Sequence, residues 1–260
     1  MAYQYLLLEK ADGIGTVTIN RPDVLNALNI DVFREMDALF TEIEQDPDIR
    51  VVILTGAGDR AFAAGVDIKE MMDQDGSSIR EFVTIARGAG DRIYHLPKPV
   101  IAAVNGYAYG GGHELALACD LRIASETAKF GQQEINLGII PGGGAVPRLT
   151  QLTGMAKAKE IVYTGEVFDA QTALALGIVN KVVPPDELMK EARGLAEKLV
   201  SKSAAALTAA KRAFNEGLNL RLPQALDLDE DLFARCFDTE DQKEGMRAFI
   251  EKRKPEFKNR

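Results

Sequence analysis

The chain has 260 residues, enough for one large domain or for one domain with a small appendage. Apolar residues make up 46% and charged residues 27%, an ordinary balance for a globular protein with a sizeable core. The net charge of −8 argues against a nucleic-acid partner, because such proteins carry a basic surface. No uncharged apolar run approaches the roughly 18 residues that span a bilayer, so no membrane partner is expected either.

The N-terminus and the cysteines predict the compartment. The first ten residues lack the basic start, the long apolar core and the cleavage site of a secretory signal. Cys119 and Cys236 form no CxxC or paired pattern, which favours reduced thiols in a reducing compartment. We therefore expect a cytoplasmic protein.

The start of the chain predicts two short strands, Tyr5–Glu9 and Gly15–Ile19, joined by a turn. Apolar residues at helical spacing then predict an amphipathic helix from Ile30 to about Gln45. Arg50–Thr55 is a nearly continuous apolar run, as expected of a strand that is buried on both faces.

Helices and strands continue to alternate through the middle of the chain. Ser78–Leu96 is predicted to be a helix and Pro99–Val104 a second buried strand. A helix, a strand and a further helix follow at Glu114–Ala118, Leu121–Ala124 and Val146–Thr153. This order is typical of an α/β fold in which helices connect the strands of a parallel sheet.

The pattern changes after about residue 185, where only helices are predicted. They cover Glu187–Val200, Ser203–Glu216, Pro223–Cys236 and Asp241–Arg253. We therefore divide the chain into an α/β core with the active site, residues 1–195, and a C-terminal helical region, residues 196–260.

Two glutamates in one glycine-rich stretch are the candidate catalytic residues. Glu114 follows three glycines and a histidine, and Glu134 lies twenty residues further on in the segment Phe130-Gly131-Gln132-Gln133-Glu134. Glycines let a backbone approach a ligand closely, and a helix N-terminus adds free N–H groups. Two carboxyls that face one substrate push each other's pKa values apart, so one can accept a proton while the other holds one. Such a pair can move water onto or off a carbon skeleton.

A second loop, Ala64-Gly65-Val66-Asp67, is a candidate for half of an oxyanion hole, with the amide of Gly111 as the other half. Each motif also has an ordinary explanation when it is taken alone. Glu114 could merely complement a helix dipole, Glu134 could be solvated, and the loop could be a surface turn.

Two further motifs are excluded by the residues around them. Gly56-Ala57-Gly58-Asp59-Arg60-Ala61 matches a dinucleotide-binding pattern, but it lacks both the helix that should follow and a strand that ends in an acidic residue about 20 positions on. His113-Glu114 resembles the start of an H-E-x-x-H zinc motif, but Leu117 occupies the position of the second histidine. We predict no metal site and no cofactor.

Four segments together resemble the crotonase, or enoyl-CoA hydratase/isomerase, superfamily, and most closely enoyl-CoA hydratase. They are Phe62–Met71, Pro97–Ala116, Phe130–Gly144 and the tail Glu244–Arg253. The resemblance covers essentially the whole chain. It implies a crotonase-like spiral of βαβ turns with a C-terminal helical trimerisation region, assembled as a homotrimer or a homohexamer. It also implies an acyl-CoA thioester as substrate, with coenzyme A entering only as part of that substrate.

The resemblance also implies roles for particular residues. The amides of Val66 and Gly111 would hold the thioester oxygen, Glu114 would be the base on water, and Glu134 would give the proton to C2. Ala64, Asp67, Ile68 and Lys69 are expected to contact coenzyme A. Phe249 and Lys252 would help to cover its adenine end, in the same subunit or in a neighbouring one.

The expected activity is hydration of a trans-2-enoyl-CoA by syn addition of water across the 2,3 double bond, because both glutamates are kept. Other reactions of the superfamily remain open, namely hydration of a cyclic or conjugated dienoyl-CoA and double-bond isomerisation, as does a catalytically silent scaffold. Val66, His113 and Gln133 depart from the residues most frequent in the superfamily, which are Ala, Cys and Pro. These departures leave the acyl-group preference open.

Overall fold

A computed structural model of the protein describes residues 3–258. Ten strands lie in this range: β1 (Leu6–Ala11), β2 (Ile14–Ile19), β3 (Val51–Gly56), β4 (Ala61–Ala63), β5 (Val100–Val104), β6 (Tyr107–Tyr109), β7 (Leu121–Ser125), β8 (Lys129–Gly131), β9 (Phe168–Asp169) and β10 (Lys181–Val183). The same range has ten α-helices: α1 (Ile30–Gln45), α2 (Ser78–His95), α3 (Gly111–Ala118), α4 (Ala145–Thr153), α5 (Met155–Thr164), α6 (Ala170–Ala175), α7 (Leu188–Val200), α8 (Ala204–Gly217), α9 (Leu222–Cys236) and α10 (Glu240–Ile250).

The strands form two sheets, and from β3 to β8 successive strands along the chain alternate between them. The larger sheet has the order β1-β2-β3-β5-β7-β10, and only β1 runs antiparallel to its neighbour. The smaller sheet has the order β4-β6-β8-β9, in which β9 is antiparallel. The pairs β3 and β4, β5 and β6, and β7 and β8 each add one strand to each sheet, so the chain advances as a spiral.

The central strands β3 and β5 of the larger sheet are buried on both faces. In β3, Val51 and Ile53 pack with α7 on one face, while Val52 and Leu54 belong to the main core on the other. This alternation confirms the strand that the apolar run at residues 50–55 predicted. A strand with no solvent face needs no polar alternation.

Helix α8 of the C-terminal region packs onto the core through a largely buried ion pair. Lys211 in α8 is 2.8 Å from the carboxylate of Asp120 and donates to the carbonyl oxygens of Ile93 and Lys98. A buried charge is tolerated where such partners replace water. Helix α7 runs across residue 195, and its Ala196 packs on the larger sheet, so the domain boundary at this position stays a prediction.

The predicted long elements are present, and the C-terminal part after β10 is helical as expected. The last helix ends at Ile250 rather than Arg253, and the helix that carries Glu114 begins at Gly111. The sequence did not predict the smaller sheet, because strands of two or three residues leave no measurable period. Across residues 3–258, no helix has both the length and the apolar character needed to cross a bilayer.

Candidate active site

A cavity of about 940 Å³ lies between α2, the N-terminus of α3 and the segment that follows β8. Its wall includes Val66, Gly111, Glu114 and Glu134, which come from three separate turns of the spiral. The two glutamates and the two glycine-flanked loops that the sequence singled out therefore meet at one cavity. A volume of this size accommodates a sizeable organic ligand.

Glu114 is held as a fixed carboxyl group. It lies in the first turn of α3 and is almost fully buried, with 8% of its surface exposed. Its Oε1 accepts hydrogen bonds from the backbone N–H groups of Gly143, at 2.8 Å, and Ala145, at 3.0 Å. Its carboxyl is thus bound by the start of α4 rather than by its own helix, which is more than the ordinary dipole explanation requires.

A backbone conformation and a side-chain hydrogen bond allow this arrangement. Gly110, which precedes α3, has φ +48° and ψ −122°, a conformation that favours glycine. Arg148 in α4 donates from Nη1 to the carbonyl oxygen of Gly143 at 2.9 Å and so fixes the turn that binds Glu114. Burial raises the pKa of Glu114, while the N–H groups of Ala145 and Gly143 and the charge of Arg148 act in the opposite direction.

Glu134 begins a short 3-10 helix, Glu134–Leu137, and is partly buried in the same wall. Burial, followed by the negative charge of Glu114, raises its pKa to about 7. The influence of one carboxyl on the other means that the two titrate as a pair. Near neutral pH the pair can therefore hold one proton and present one charge.

Two backbone N–H groups in the cavity wall have no acceptor. Leu28 donates to the carbonyl of Gly65 and accepts from the N–H of Asp67, which leaves the N–H of Val66 facing away from Leu28. Gly111 is the first residue of α3, where a backbone N–H has no partner within the helix. Neither N–H has a hydrogen-bond acceptor among residues 3–258. A Cβ on Gly111 would lie 3.7 Å from the nitrogen of Val66, so the two groups are neighbours.

Only some of the residues expected to contact coenzyme A line the cavity. Ala64 and Ile68 line the cavity. Asp67 and Lys69 lie in the same loop but outside the wall, and the side chain of Asp67 accepts from the N–H of Lys69 at 3.3 Å, which caps a 3-10 helix, Ile68–Glu70.

Phe249 lies in α10 and Lys252 just after it, and neither lines the cavity of its own chain. Phe249 is 85% exposed. Contacts of these two residues with coenzyme A at a neighbouring subunit, and of Asp67 and Lys69 within the chain, stay predictions.

Known proteins resemble this chain over its whole length. The enoyl-CoA hydratase/isomerase family model matches residues 9–260. The chain is 49% identical to a short-chain-enoyl-CoA hydratase of Clostridium acetobutylicum, with all of both chains covered, and 45% identical to a crotonyl-CoA hydratase of Syntrophomonas wolfei subsp. wolfei, with 99% of each covered. The chain belongs to the enoyl-CoA hydratase/isomerase family.

Solved structures of family members have the same fold. An enoyl-CoA hydratase from Bacillus anthracis has a TM-score of 0.95 at 40% identity, with 99% of this chain and 100% of that chain covered. The comparison confirms the crotonase-like α/β spiral and the helical C-terminal region that the sequence predicted.

The sequence did not predict that helix α2 lines the cavity. Helix α2 contributes Ile79, Phe82, Val83, Ala86 and Gly90. Their spacing places them on one helix face, as for any core-facing helix, so the pattern alone did not separate a ligand wall from a packed core.

Gln132 was also missed as a neighbour of Glu134. It is fully buried next to Glu134, although it lies among polar residues in the sequence. Its place immediately after a buried strand was the one available signal.

Proposed function

We propose that the protein is an enoyl-CoA hydratase, which adds water reversibly to a trans-2-enoyl-CoA and gives a 3-hydroxyacyl-CoA. The observation that carries this proposal is the meeting of two carboxyls with raised pKa values and two free backbone N–H groups at one cavity. Names of relatives at 49% and 45% identity support the same reaction.

The amides of Val66 and Gly111 bind the thioester oxygen as an oxyanion hole. They stabilise negative charge on that oxygen, which makes C3 electrophilic and favours the enolate that forms next. Losing one donor of this kind typically costs about 10²–10³ in rate. The amides need no reorganisation during the reaction, because they belong to a helix N-terminus and a bridged loop.

The surroundings of the two carboxyls assign their roles. Glu114 accepts two backbone hydrogen bonds, which favour its ionised form, so it takes a proton from water as the hydroxyl adds to C3. Glu134, with its pKa of about 7, holds the proton that goes to C2. After the step Glu114 is neutral and Glu134 is charged, and proton exchange with solvent restores the pair. Delivery of both groups from one side gives syn addition.

No cofactor or metal enters the proposed reaction, because the two acids and the two amides account for every bond made and broken. Coenzyme A is bound as part of the substrate. We propose that Ala64 and Ile68 contact it in the cavity wall, Asp67 and Lys69 beside it, and Phe249 or Lys252 of a second copy near the adenine.

The test of the function is incubation with crotonyl-CoA, followed by loss of the absorbance of its conjugated thioester. Hydration removes the conjugation, so the absorbance should fall and 3-hydroxybutyryl-CoA should appear. Turnover of a 3-enoyl or dienoyl thioester with no loss of crotonyl-CoA would assign a different reaction to the same site.

The hydration rate should depend on pH at both carboxyls. Hydration needs Glu134 protonated, so kcat/KM should fall as pH rises through the pKa of about 7. Hydration also needs Glu114 ionised, so kcat/KM should fall at low pH as well, where Glu114 becomes protonated. A bell-shaped profile of kcat/KM against pH checks this, and a profile with no decline above neutral pH would contradict the role of Glu134. The declines at low and at high pH, the two limbs of the profile, both report the coupled titration of the pair.

The absence of a side chain at Gly90 should leave room in the cavity for longer acyl chains. It is buried in α2 and lines the cavity, and a Cβ built on it meets no atom within 4 Å, so a side chain there would fill cavity space. Gly90→Leu should lower kcat/KM for decenoyl-CoA by about tenfold or more and affect crotonyl-CoA less. Gly88→Leu is the matched control, because Gly88 also has open space around it but lies exposed outside the wall. Equal effects on both substrates would contradict this assignment.

We propose that the protein assembles as a homotrimer or a homohexamer through its C-terminal helices. Large apolar side chains on α8 to α10 are exposed in the single chain, including Phe214, Leu222, Phe233 and Phe249. Exposed patches of this kind usually mark an interface. Light scattering should give three or six times the mass of one chain, and a monomer would contradict the proposal.

We also propose a cytoplasmic location, consistent with two free thiols, Cys119 and Cys236.

A further inference from the structure

Two completely buried polar side chains, His113 and Gln132, lie behind Glu134 and outside the cavity wall. Nδ1 of His113 is 3.2 Å from one end of the Gln132 amide. The other end of the amide is 3.1 Å from Oε1 and 3.0 Å from Oε2 of Glu134. A chain of three side chains therefore connects α3, through the residue after β8, with the carboxyl of Glu134.

The partners of Gln132 decide how its amide is oriented. An amide oxygen that faced two carboxylate oxygens would be repelled, whereas the amide nitrogen can donate to both of them. Nε2 of Gln132 therefore faces Glu134, and its Oε1 faces His113. In this orientation Oε1 accepts a hydrogen bond from the Nδ1–H of His113, so both ends of the buried amide are satisfied.

The same contacts place the hydrogen of His113 on Nδ1. Burial, followed by the charge of Arg122, lowers the pKa of His113 to about 3, so its ring is neutral and carries a single N–H. Nε2 has no hydrogen-bond partner among residues 3–258, and the ring packs against Phe130 and Phe168. A hydrogen on Nε2 would bury an unpaired donor and would turn a lone pair of Nδ1 toward the oxygen of Gln132.

We propose that His113 is a positioning residue that acts through Gln132: its Nδ1–H fixes the amide, and the amide N–H group holds the carboxyl of Glu134 and favours its ionised form. The inference rests on the proposed function, in which Glu134 gives a proton to C2. Burial and the negative charge of Glu114 raise the pKa of this carboxyl, and a hydrogen-bond donor to its oxygens acts in the opposite direction. The pair His113 and Gln132 therefore helps to keep Glu134 able to lose and regain its proton near neutral pH.

Two further charged groups act on these residues. Glu114 from α3 raises the pKa of Glu134, and Arg122 from β7 lowers the pKa of His113. Arg122 is buried and donates to the carbonyl oxygens of Ile178, Ala116 and Cys119, so it stays charged throughout the working pH range. Replacing the neutral ring of His113 with an uncharged side chain leaves both of these charges in place.

The test compares His113→Cys, whose side chain is too short to reach Gln132, with His113→Asn, whose amide can supply a donor near the position of Nδ1. Gln132→Met removes the amide itself. For each variant the pH dependence of kcat/KM for crotonyl-CoA hydration is measured, with circular dichroism to confirm folding. His113→Cys and Gln132→Met should each move the high-pH limb upward by about one pH unit. The double variant His113→Cys/Gln132→Met should show no further shift. His113→Asn should keep the high-pH limb at its wild-type position.

Several results would overturn the inference while leaving the proposed function intact. The first is a wild-type limb in His113→Cys beside a shifted limb in Gln132→Met, because Gln132 would then hold Glu134 without help. The second is a limb in His113→Asn that moves as far as in His113→Cys, because packing and not the donor would then be responsible. An unchanged limb in all variants is the third. Failure of the function itself is distinct, because the wild-type protein would then not hydrate crotonyl-CoA at any pH.

Discussion

Replacing Glu134 with glutamine should lower kcat for crotonyl-CoA hydration by about 10²–10⁴ with little change in KM. Glutamine has nearly the same shape and can still accept a hydrogen bond from Gln132, so the cavity wall should stay in place. What it cannot do is give a proton to C2 of the enolate. The decline of kcat/KM above neutral pH should disappear as well, because no group with a pKa of about 7 remains there.

Glu126→Gln is the matched control for this variant. Glu126 is exposed and lies outside the cavity wall, so the same change of charge there should leave the kinetics near those of the wild-type protein. Steady-state kinetics across pH, at saturating and limiting crotonyl-CoA, separate kcat from kcat/KM. Wild-type kcat in Glu134→Gln would remove this residue from the proton transfer.

Replacing Glu114 with glutamine should cause a loss of similar size, about 10²–10⁴ in kcat, for a different reason. The amide oxygen can still accept from the N–H groups of Gly143 and Ala145, so the turn before α4 should be preserved. The variant lacks the carboxylate that takes a proton from water. The acid limb of the pH profile should therefore disappear, whereas the decline above neutral pH should remain.

Exchange of the C2 protons of butyryl-CoA with deuterated water distinguishes the two variants. This saturated thioester cannot be hydrated, and exchange needs only the oxyanion hole and the base at C2. Glu114→Gln should keep the exchange, and Glu134→Gln should lose it. The reverse result, with exchange lost only in Glu114→Gln, would interchange the roles given to the two carboxyls.

The sequence singled out the two carboxyls that meet at the cavity but not the groups that hold them. Glu114 and Glu134 could be singled out because they lie close together along the chain among glycines. The amides that bind Glu114 belong to Gly143 and Ala145, 29 and 31 residues away. No local pattern carries a hydrogen bond across that separation, because it depends on how the turns of the spiral stack.

The fold was predictable where each element has its own period. The amphipathic helix α1 and the buried strand β3 were predicted almost to the residue, since their patterns persist over a full element. The strands of the smaller sheet are too short for that. The face of α2 that lines the cavity has the same spacing as a face packed in the core, so only the tertiary structure shows that it borders empty space.

The central claim is that Glu114 and Glu134 act together across one double bond, and the most direct test is a reaction in deuterated water. Crotonyl-CoA is converted by the wild-type protein, and the product is analysed by NMR before exchange at C2 can accumulate. The account predicts 3-hydroxybutyryl-CoA with one deuterium at C2, on the same face as the new hydroxyl at C3. Deuterium spread over both faces of C2, or incorporated at C2 or C4 without a hydroxyl at C3, would contradict it.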